Sequence, residues 1–180
     1  MFRKILVGLD TSDMHRHVFE ESVAIAKANH SKLMLLHVLS PEEEGSPGLA
    51  LYAGPSVYPV PDEAYLAAYR QQWDDYEKQG LQFLQTLTNE ATEKGIPTEF
   101  TQDFGNAGQR IRQMAKTWDA DLIVLGRRGR SGLTELFLGS VSNYVMHHSK
   151  CSVLIVQGDA APSSGDSQSD KEEMASASGE

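Results

Sequence analysis

Short apolar runs recur along the chain and predict the strands of a parallel sheet. Four runs are nearly continuous in valine, isoleucine and leucine, and each ends in polar or turn residues: 4–10, 32–40, 121–126 and 151–158. Continuous runs, rather than strict alternation, indicate strands buried on both faces. Residues 98–105, TEFTQDFG, alternate more clearly and form a weaker pattern, which suits an edge strand.

Between these runs the apolar positions take helical spacing. They do so first over residues 18–26, and the expected N-cap of that helix is Ser12 or Asp13. A longer stripe, rich in aromatic residues, extends over 62–94 and is predicted to be core. It stops at the sequence GIP (95–97), a strong helix-ending signal.

The order of these elements predicts the fold. Two more helices are expected over 107–118 and 140–148, which completes the order β-α-β-α-β-α-β-α-β. This order is typical of a single doubly wound, Rossmann-like α/β domain with a five-stranded, mainly parallel sheet flanked by helices. We expect this domain to occupy residues 1–157.

One connection is too long for this pattern. Residues 40–63 hold five of the seven prolines and leave the carboxyl end of the second strand, the side on which α/β proteins bind ligands. The segment is either a tolerated surface insertion or a loop that covers a ligand or contacts a partner.

Charge and composition exclude several classes of protein. The formal net charge is −9, and residues 158–180 hold six acidic residues against one lysine. That tail, rich in serine, alanine and glycine, is expected to be disordered, with a role in solubility or in partner binding. Neither part has the basic face of a nucleic-acid binder. No apolar run approaches the ~18–20 residues of a membrane span.

The single cysteine and the N-terminal residues indicate the cellular compartment. The single cysteine, Cys151, cannot form an internal disulfide, and the apolar run in MFRKILVGLD is too short for a signal-peptide core. We therefore expect a cytoplasmic protein. Cys151 opens an apolar strand and is predicted to be a buried structural thiol.

The most informative stretch is DLIVLGRRGRSGLTELFLGSVS, residues 121–142. An apolar run ends there at a glycine, three more glycines follow, and a predicted helix begins at Ser140. Amide groups at a helix start have no intrahelical partner, and the helix dipole favours an anion. Glycine allows close approach of backbone to an anion, and three arginines add positive charge: Arg127, Arg128 and Arg130. Serine hydroxyls are available at Ser140 and Ser142.

These residues alone leave two interpretations open. The stretch is either a phosphate-binding loop or an ordinary strand–turn–helix connection. The sequence contains no GxxxxGK[ST] motif, and VGLDTSD, not GxGxxG, follows the first strand.

The spacing of the glycines resembles that of a known family. Residues 126–140 read G-x2-G-x9-G-S, similar to the motif G-x2-G-x9-G-[S/T] of universal stress proteins. The segments ILVGLDTSD, LLHVLS and ADLIVLG are similar to that family too, so the resemblance covers about residues 2–157. Within the family this motif marks members that bind ATP.

The resemblance implies a role for each matching residue. Ribose and phosphates would be lined by Gly126, Gly129, Gly139, Ser140 and Val141, with Ser140 contributing its hydroxyl and backbone N–H. Asp10 would reach the ribose or a phosphate bridged by Mg²⁺, so a metal is expected only through the nucleotide. Gly8 and Val38 would present backbone to the adenine.

Alternatives remain at some of these positions. Asp10 is also placed to cap the next helix, and Val38 to be core only. The Arg127-Arg128 pair stands where the family often has small or mixed residues, and it either strengthens phosphate binding or forms a solvated turn. The full predicted nucleotide set is Gly8, Asp10, Val38, Gly126, Arg127, Arg128, Gly129, Arg130, Gly139, Ser140, Val141 and Ser142.

The six histidines do not form a metal-binding pattern. Two pairs are spaced by two residues or one, which does not put both side chains on one helix face: His15/His17 and His147/His148. HExxH is absent, so we predict no dedicated metal site. His37 lies inside a predicted strand and is expected to be a hydrogen-bonded core histidine.

Taken together, these patterns predict an ATP-binding regulatory module of the stress response. No residue stands out as a base that orients water, so hydrolysis is expected to be slow or absent. The alternatives are a slow ATPase or nucleotidyl-handling enzyme, a sensor of AMP or a cyclic nucleotide, and a structural dimer with a vestigial site. The last strand is expected at a sheet edge, and the resemblance implies a homodimer through residues 151–157. A regulatory protein partner is expected but not identified.

Overall fold

A computed structural model describes residues 1–41, 43, 45–47, 63–127 and 139–157. Most of the 40–63 connection, the 158–180 tail, and Arg128, Gly129 and Arg130 lie outside these residues. Nine elements follow one another: β1 (Lys4–Leu9), α1 (His15–Asn29), β2 (Lys32–Leu39), α2 (Glu63–Glu93), β3 (Thr98–Phe104), α3 (Ala107–Trp118), β4 (Leu122–Gly126), α4 (Ser140–His148) and β5 (Ser152–Val156).

The strands form one five-stranded sheet in the order β3-β2-β1-β4-β5, and every pair is parallel. The predicted α/β fold is confirmed, with β3 and β5 at the two edges as expected. The chain first builds outward from β1 to β3 and then continues on the other side of β1 with β4. This reversal places a topological switch point between β1 and β4, where open α/β sheets bind ligands.

Helices cover both faces of the sheet, which explains the continuous apolar runs. On one face Ile5 and Val7 of β1 pack with buried residues of α1 and α2. On the other face Leu6 packs with buried residues of α3 and α4, among them Ile111 and Val145. Because successive strand residues point to opposite faces, a sheet covered twice needs apolar residues at consecutive positions.

The start of α1 differs from the expectation. Met14 occupies its N-cap position and makes no side-chain cap bond, so the prediction of Ser12 or Asp13 is wrong. The N–H and hydroxyl of Ser12 instead donate to Oδ1 of Asp10 in the preceding turn. The Ser12 hydroxyl therefore already has a hydrogen-bond partner in the turn before α1 begins.

The aromatic stripe of α2 is core in only one half of the helix. The buried residues of α2 lie between Gly80 and Ala91, whereas Tyr65 and Leu66 are exposed. Its 31 residues extend roughly 46 Å at the α-helical rise. The neighbouring strands of seven or eight residues span roughly 25 Å. α2 is therefore longer than the strands against which it packs.

Candidate functional site

The carboxyl ends of β1, β2 and β4 open into a cavity of about 320 Å³ at the switch point. The β1–α1 loop, the turn after β2 and the first residues of α3 and α4 complete its walls. Nine of the twelve predicted nucleotide residues line it: Gly8, Asp10, Val38, Gly126, Arg127, Gly139, Ser140, Val141 and Ser142. The other three are Arg128, Gly129 and Arg130, which are not described.

The amino end of α4 faces this cavity. Gly139 is its N-cap residue and makes no side-chain cap bond, so the first amides of the helix have no cap side chain. Ser140 is exposed at the first helical position. Helix-start amides without a cap side chain, the positive end of the helix dipole and the adjacent Arg127 make this wall suited to an anion.

Ser142 lines the cavity, but its hydroxyl has another partner. The side chain is buried, and Oγ donates to the carbonyl of Gly126 at 3.0 Å. Ser142 therefore joins α4 to the end of β4 and keeps the two glycine-containing walls together.

Gly8 is closely packed against side chains of the neighbouring strand and of α3. A Cβ at this position would lie 2.5 Å from Cδ2 of Leu125 and 3.2 Å from Cδ1 of Ile111. A larger residue would therefore displace the side chains of Leu125 and Ile111. The glycine is thus explained by packing, whether or not a ligand approaches its backbone.

Asp10 lies at the end of β1 and shapes the loop that follows. Its Oδ1 accepts the N–H of Ser12 at 3.1 Å and the Ser12 hydroxyl, the pattern of an Asx-turn. The next residue, Thr11, donates its backbone N–H to Oε1 of Glu43 at 3.2 Å. The cavity wall at Asp10 therefore carries two carboxylates, those of Asp10 and Glu43, in contrast to the amide donors at the start of α4.

Glu43 is a cavity residue that the sequence patterns did not identify. Its side chain is 4% exposed, and its oxygens lie 3.0 and 3.1 Å from Nε2 of His37. His37 is buried and hydrogen-bonded, as expected. In the sequence Glu43 is the middle of three consecutive glutamates, a pattern typical of a solvated loop. The available signal was its closeness to a histidine inside a buried strand.

Tyr76 covers this region from α2. Its hydroxyl oxygen is buried and makes no hydrogen bond with the described residues. Burial, followed by the nearby carboxylate of Glu43, raises the pKa of Tyr76 above its usual range. Its ring packs edge-on against His37, with centroids 6.3 Å apart.

Other candidates remain outside the site. Cys151 is half-buried, and burial raises the pKa of its thiol, which is unfavourable for a nucleophile. Across the described ranges, no group of three or more histidine, cysteine, aspartate or glutamate side chains is arranged to hold a metal ion. No described helix combines the length and the hydropathy that crossing a bilayer requires.

Comparison with known proteins gives the family. The model of the universal stress protein family matches residues 1–157. The chain belongs to the universal stress protein family. Universal stress protein Sll1388 of Synechocystis is 39% identical over 156 residues, 87% of this chain and 98% of the relative. Universal stress protein YxiE of Bacillus subtilis is 34% identical over 157 residues, 87% of this chain and 100% of the relative.

Solved structures of universal stress proteins, and that of a hypothetical protein, share the fold. Hypothetical protein MJ0577 has a TM-score of 0.70 at 19% identity and covers 89% of this chain and 99% of its own. A universal stress protein in complex with cAMP has a TM-score of 0.55 at 24% identity, with coverages of 87% and 97%. The Arabidopsis thaliana family protein At3g01520, with AMP bound, has a TM-score of 0.59 at 23% identity, with coverages of 91% and 97%.

Proposed function

We propose that this universal stress protein binds ATP in the switch-point cavity and acts as a nucleotide-dependent regulatory module of the stress response. One observation carries the proposal: the cavity has donors on the α4 wall and acceptors on the Asp10 wall. A nucleotide has the matching polarity, because its phosphates only accept hydrogen bonds and its ribose hydroxyls can donate them.

The proposed orientation follows from that polarity. Phosphates lie at the start of α4, near Ser140 and Arg127, and the ribose lies toward Asp10. The adenine lies at Val38, at the carboxyl end of β2. The cavity volume of about 320 Å³ falls in the range of small-molecule sites. Mg²⁺ would be held by the phosphates with Asp10 as its protein ligand, which suits its preference for oxygen.

Two solved structures support an adenine nucleotide as the ligand class, since their chains are described with cAMP and with AMP. The choice of ATP rests on the G-x2-G-x9-G-S spacing and on the arginines that follow β4. A sensor of AMP or a cyclic nucleotide is the second candidate. Among the described residues of the site, none stands out as a base that orients water, so we propose binding with slow or no turnover, in which occupancy changes the surface offered to a protein partner.

The wider organisation is proposed on the same basis. Residues 1–157 form the nucleotide-binding domain, and residues 158–180 form a separate acidic tail. Two copies pair through β5, an edge strand with a side chain, Leu154, that is 36% exposed. We place the protein in the cytoplasm.

The first experiment identifies the nucleotide and tests the α4 wall. Gently purified protein is denatured, released nucleotide is identified by mass spectrometry, and ATP, AMP and cAMP are titrated by calorimetry. Ser140→Glu puts a carboxylate where phosphate is proposed, and an acid in the first turn suits the helix itself. We expect ATP affinity to fall at least tenfold, since like charges at a binding wall are strongly unfavourable.

Asn143→Glu is the matched control, because it makes the same charge change at an exposed position of α4 outside the cavity wall. Equal effects of the two variants would argue against phosphate at the start of α4. Tighter binding of AMP or cAMP than of ATP would favour the second candidate. Binding of none of the three would remove the proposed function.

A further inference from the structure

A buried hydrogen-bond network lies behind the Asp10 wall of the cavity. The turn after β2 returns the chain toward the sheet, with the N–H of Glu43 donating to the carbonyl of Ser40 at 3.0 Å. The side chain of Glu43, which lies in this turn, is 4% exposed. Burying a carboxylate costs free energy unless it is hydrogen-bonded, so the hydrogen-bond partners of Glu43 indicate its role.

Those partners come from two different elements. Oε1 of Glu43 accepts the N–H of Thr11 at 3.2 Å from the β1–α1 loop. Both carboxylate oxygens lie within 3.1 Å of Nε2 of His37, in β2. Because a carboxylate only accepts hydrogen bonds, Nε2 is the nitrogen that carries the proton.

The other ring nitrogen of His37 is bonded as well. Nδ1 lies 3.1 Å from Nε2 of Gln102 in the edge strand β3. An amide nitrogen donates, so Nδ1 accepts, and the two bonds together favour the Nε2–H tautomer. The orientation of the imidazole toward Glu43 thus depends on Gln102, a residue outside the cavity wall.

The backbone of α2 closes over this pair. A Cβ on Gly80 would lie 2.1 Å from Nε2 of Gln102 and 2.7 Å from Nδ1 of His37. Rings of Tyr76 and Phe83 pack edge-on against the imidazole at 6.3 and 6.2 Å. Glycine is unfavourable inside a helix, and here it makes room for the network.

We infer that the Gln102–His37–Glu43 network positions the β1–α1 loop, and with it Asp10, for the nucleotide. Gln102 sets the tautomer of His37, His37 orients Glu43, and Glu43 holds the amide of Thr11, the residue next to Asp10. The Asx-turn from Asp10 to Ser12 then fixes the aspartate carboxylate against the same loop. These are positioning residues, and the inference rests on the proposed nucleotide site.

The test uses Gln102→Leu, which removes the donor to Nδ1 at a half-buried position away from the cavity. Its matched control is Thr101→Val, a nearly isosteric change at the preceding residue of β3, which is also half-buried. Three properties are measured in the full chain: ATP affinity, the tautomer of His37 from its ring ¹⁵N shifts, and hydrogen exchange of the Thr11 amide. Glu43→Leu, which removes the acceptor directly, is measured alongside.

We expect the wild type to show the Nε2–H tautomer, and Gln102→Leu to show a mixture of tautomers. Protection of the Thr11 amide falls in Gln102→Leu and Glu43→Leu, and ATP affinity falls about tenfold, the lower end of the loss seen when a hydrogen-bond partner of a metal ligand is removed. Thr101→Val leaves all three properties unchanged. A wild-type Nδ1–H tautomer overturns the inference, and so does unchanged Thr11 protection and ATP affinity in both variants.

Failure of the nucleotide proposal gives a different result. If the wild type binds no adenine nucleotide, the proposed function is lost, and exchange at Thr11 alone decides whether the network positions the loop. Loss of protection in Gln102→Leu then supports the inference, and unchanged protection overturns it.

Discussion

Gly80 shows how a single position joins the packing of α2 to the polar network beneath it. Replacement by alanine favours the helix by ~1 kcal/mol in isolation. At this position, however, the added methyl would collide with Gln102 and His37. We expect Gly80→Ala to lower the free energy of unfolding by about 1–3 kcal/mol, the usual cost of overpacking. Urea unfolding measures the change.

The control is Gln79→Ala, at the exposed neighbouring position of the same helix. We expect it to leave stability within about 0.5 kcal/mol of the wild type. A Gly80→Ala variant as stable as Gln79→Ala would mean that the network has room for the methyl group and is looser than the structure shows.

For individual residues, the sequence predicts burial better than it predicts hydrogen-bond partners. Composition and spacing placed His37 in the core, because a histidine inside an apolar strand has few other locations. They did not identify Glu43, whose partners lie 6 and 32 residues away and meet only in the folded chain. The hydroxyl of Ser142 is similar, since its bond to Gly126 spans 16 residues.

Elements were predicted where local signals were sufficient. The bounds of α3 and α4 agree with the expected 107–118 and 140–148, and Asn106 caps α3 by accepting the N–H of Gln109 at 3.1 Å. The half-exposed state of α2 was not predictable from its stripe. Periodicity identifies the residues that share a helix face, but not how far the sheet beneath that face extends.

Contacts between elements predict how stability depends on pH. Glu90 of α2 accepts two hydrogen bonds from Arg16 of α1, at 2.6 and 2.8 Å, and a third from Lys94. These partners, Arg16 first, lower the pKa of Glu90 to about 2. Backbone N–H groups of Arg3 and then Lys4 lower the pKa of Asp121, which joins the start of β1 to β4.

A folded-state pKa below the unfolded value means that the contribution is present above the unfolded pKa. It is lost as pH falls through the folded pKa. We expect the melting temperature to fall between about pH 5 and pH 2, and Glu90→Gln to reduce that slope. The control is Glu93→Gln, which lies at an exposed position of α2 and makes no ion pair with the described residues. It should leave the slope of melting temperature against pH unchanged. Parallel curves for Glu90→Gln and wild type would show that the α1–α2 contact does not govern acid unfolding.

Over the whole molecule, the two edges of the sheet differ. The outer groove beside β3 is lined in part by Tyr69 and Trp73 of α2, whereas β5 is the edge strand that we propose for pairing. Leu154→Lys puts a charge on that strand, and charged edge residues oppose strand pairing. We expect the variant to sediment as a monomer at concentrations where the wild type is a dimer.

The same variant should bind ATP as the wild type does, because Leu154 does not line the cavity. Lys150→Leu, a charge change just before the strand, is the control and should leave the assembly unchanged. A monomeric wild type would contradict the proposed dimer without affecting the nucleotide site.

The central position of β1 also orders events during synthesis. The first three strands form one contiguous half of the sheet, which is complete in sequence once Phe104 has emerged from the ribosome. The cavity takes walls from both halves, and its α4 wall begins only at Ser140. A nascent chain can therefore pack half of its sheet before a nucleotide has a site to occupy. Under the proposed function, nucleotide would then act on the finished domain by mass action, adding stability without directing the first steps of folding.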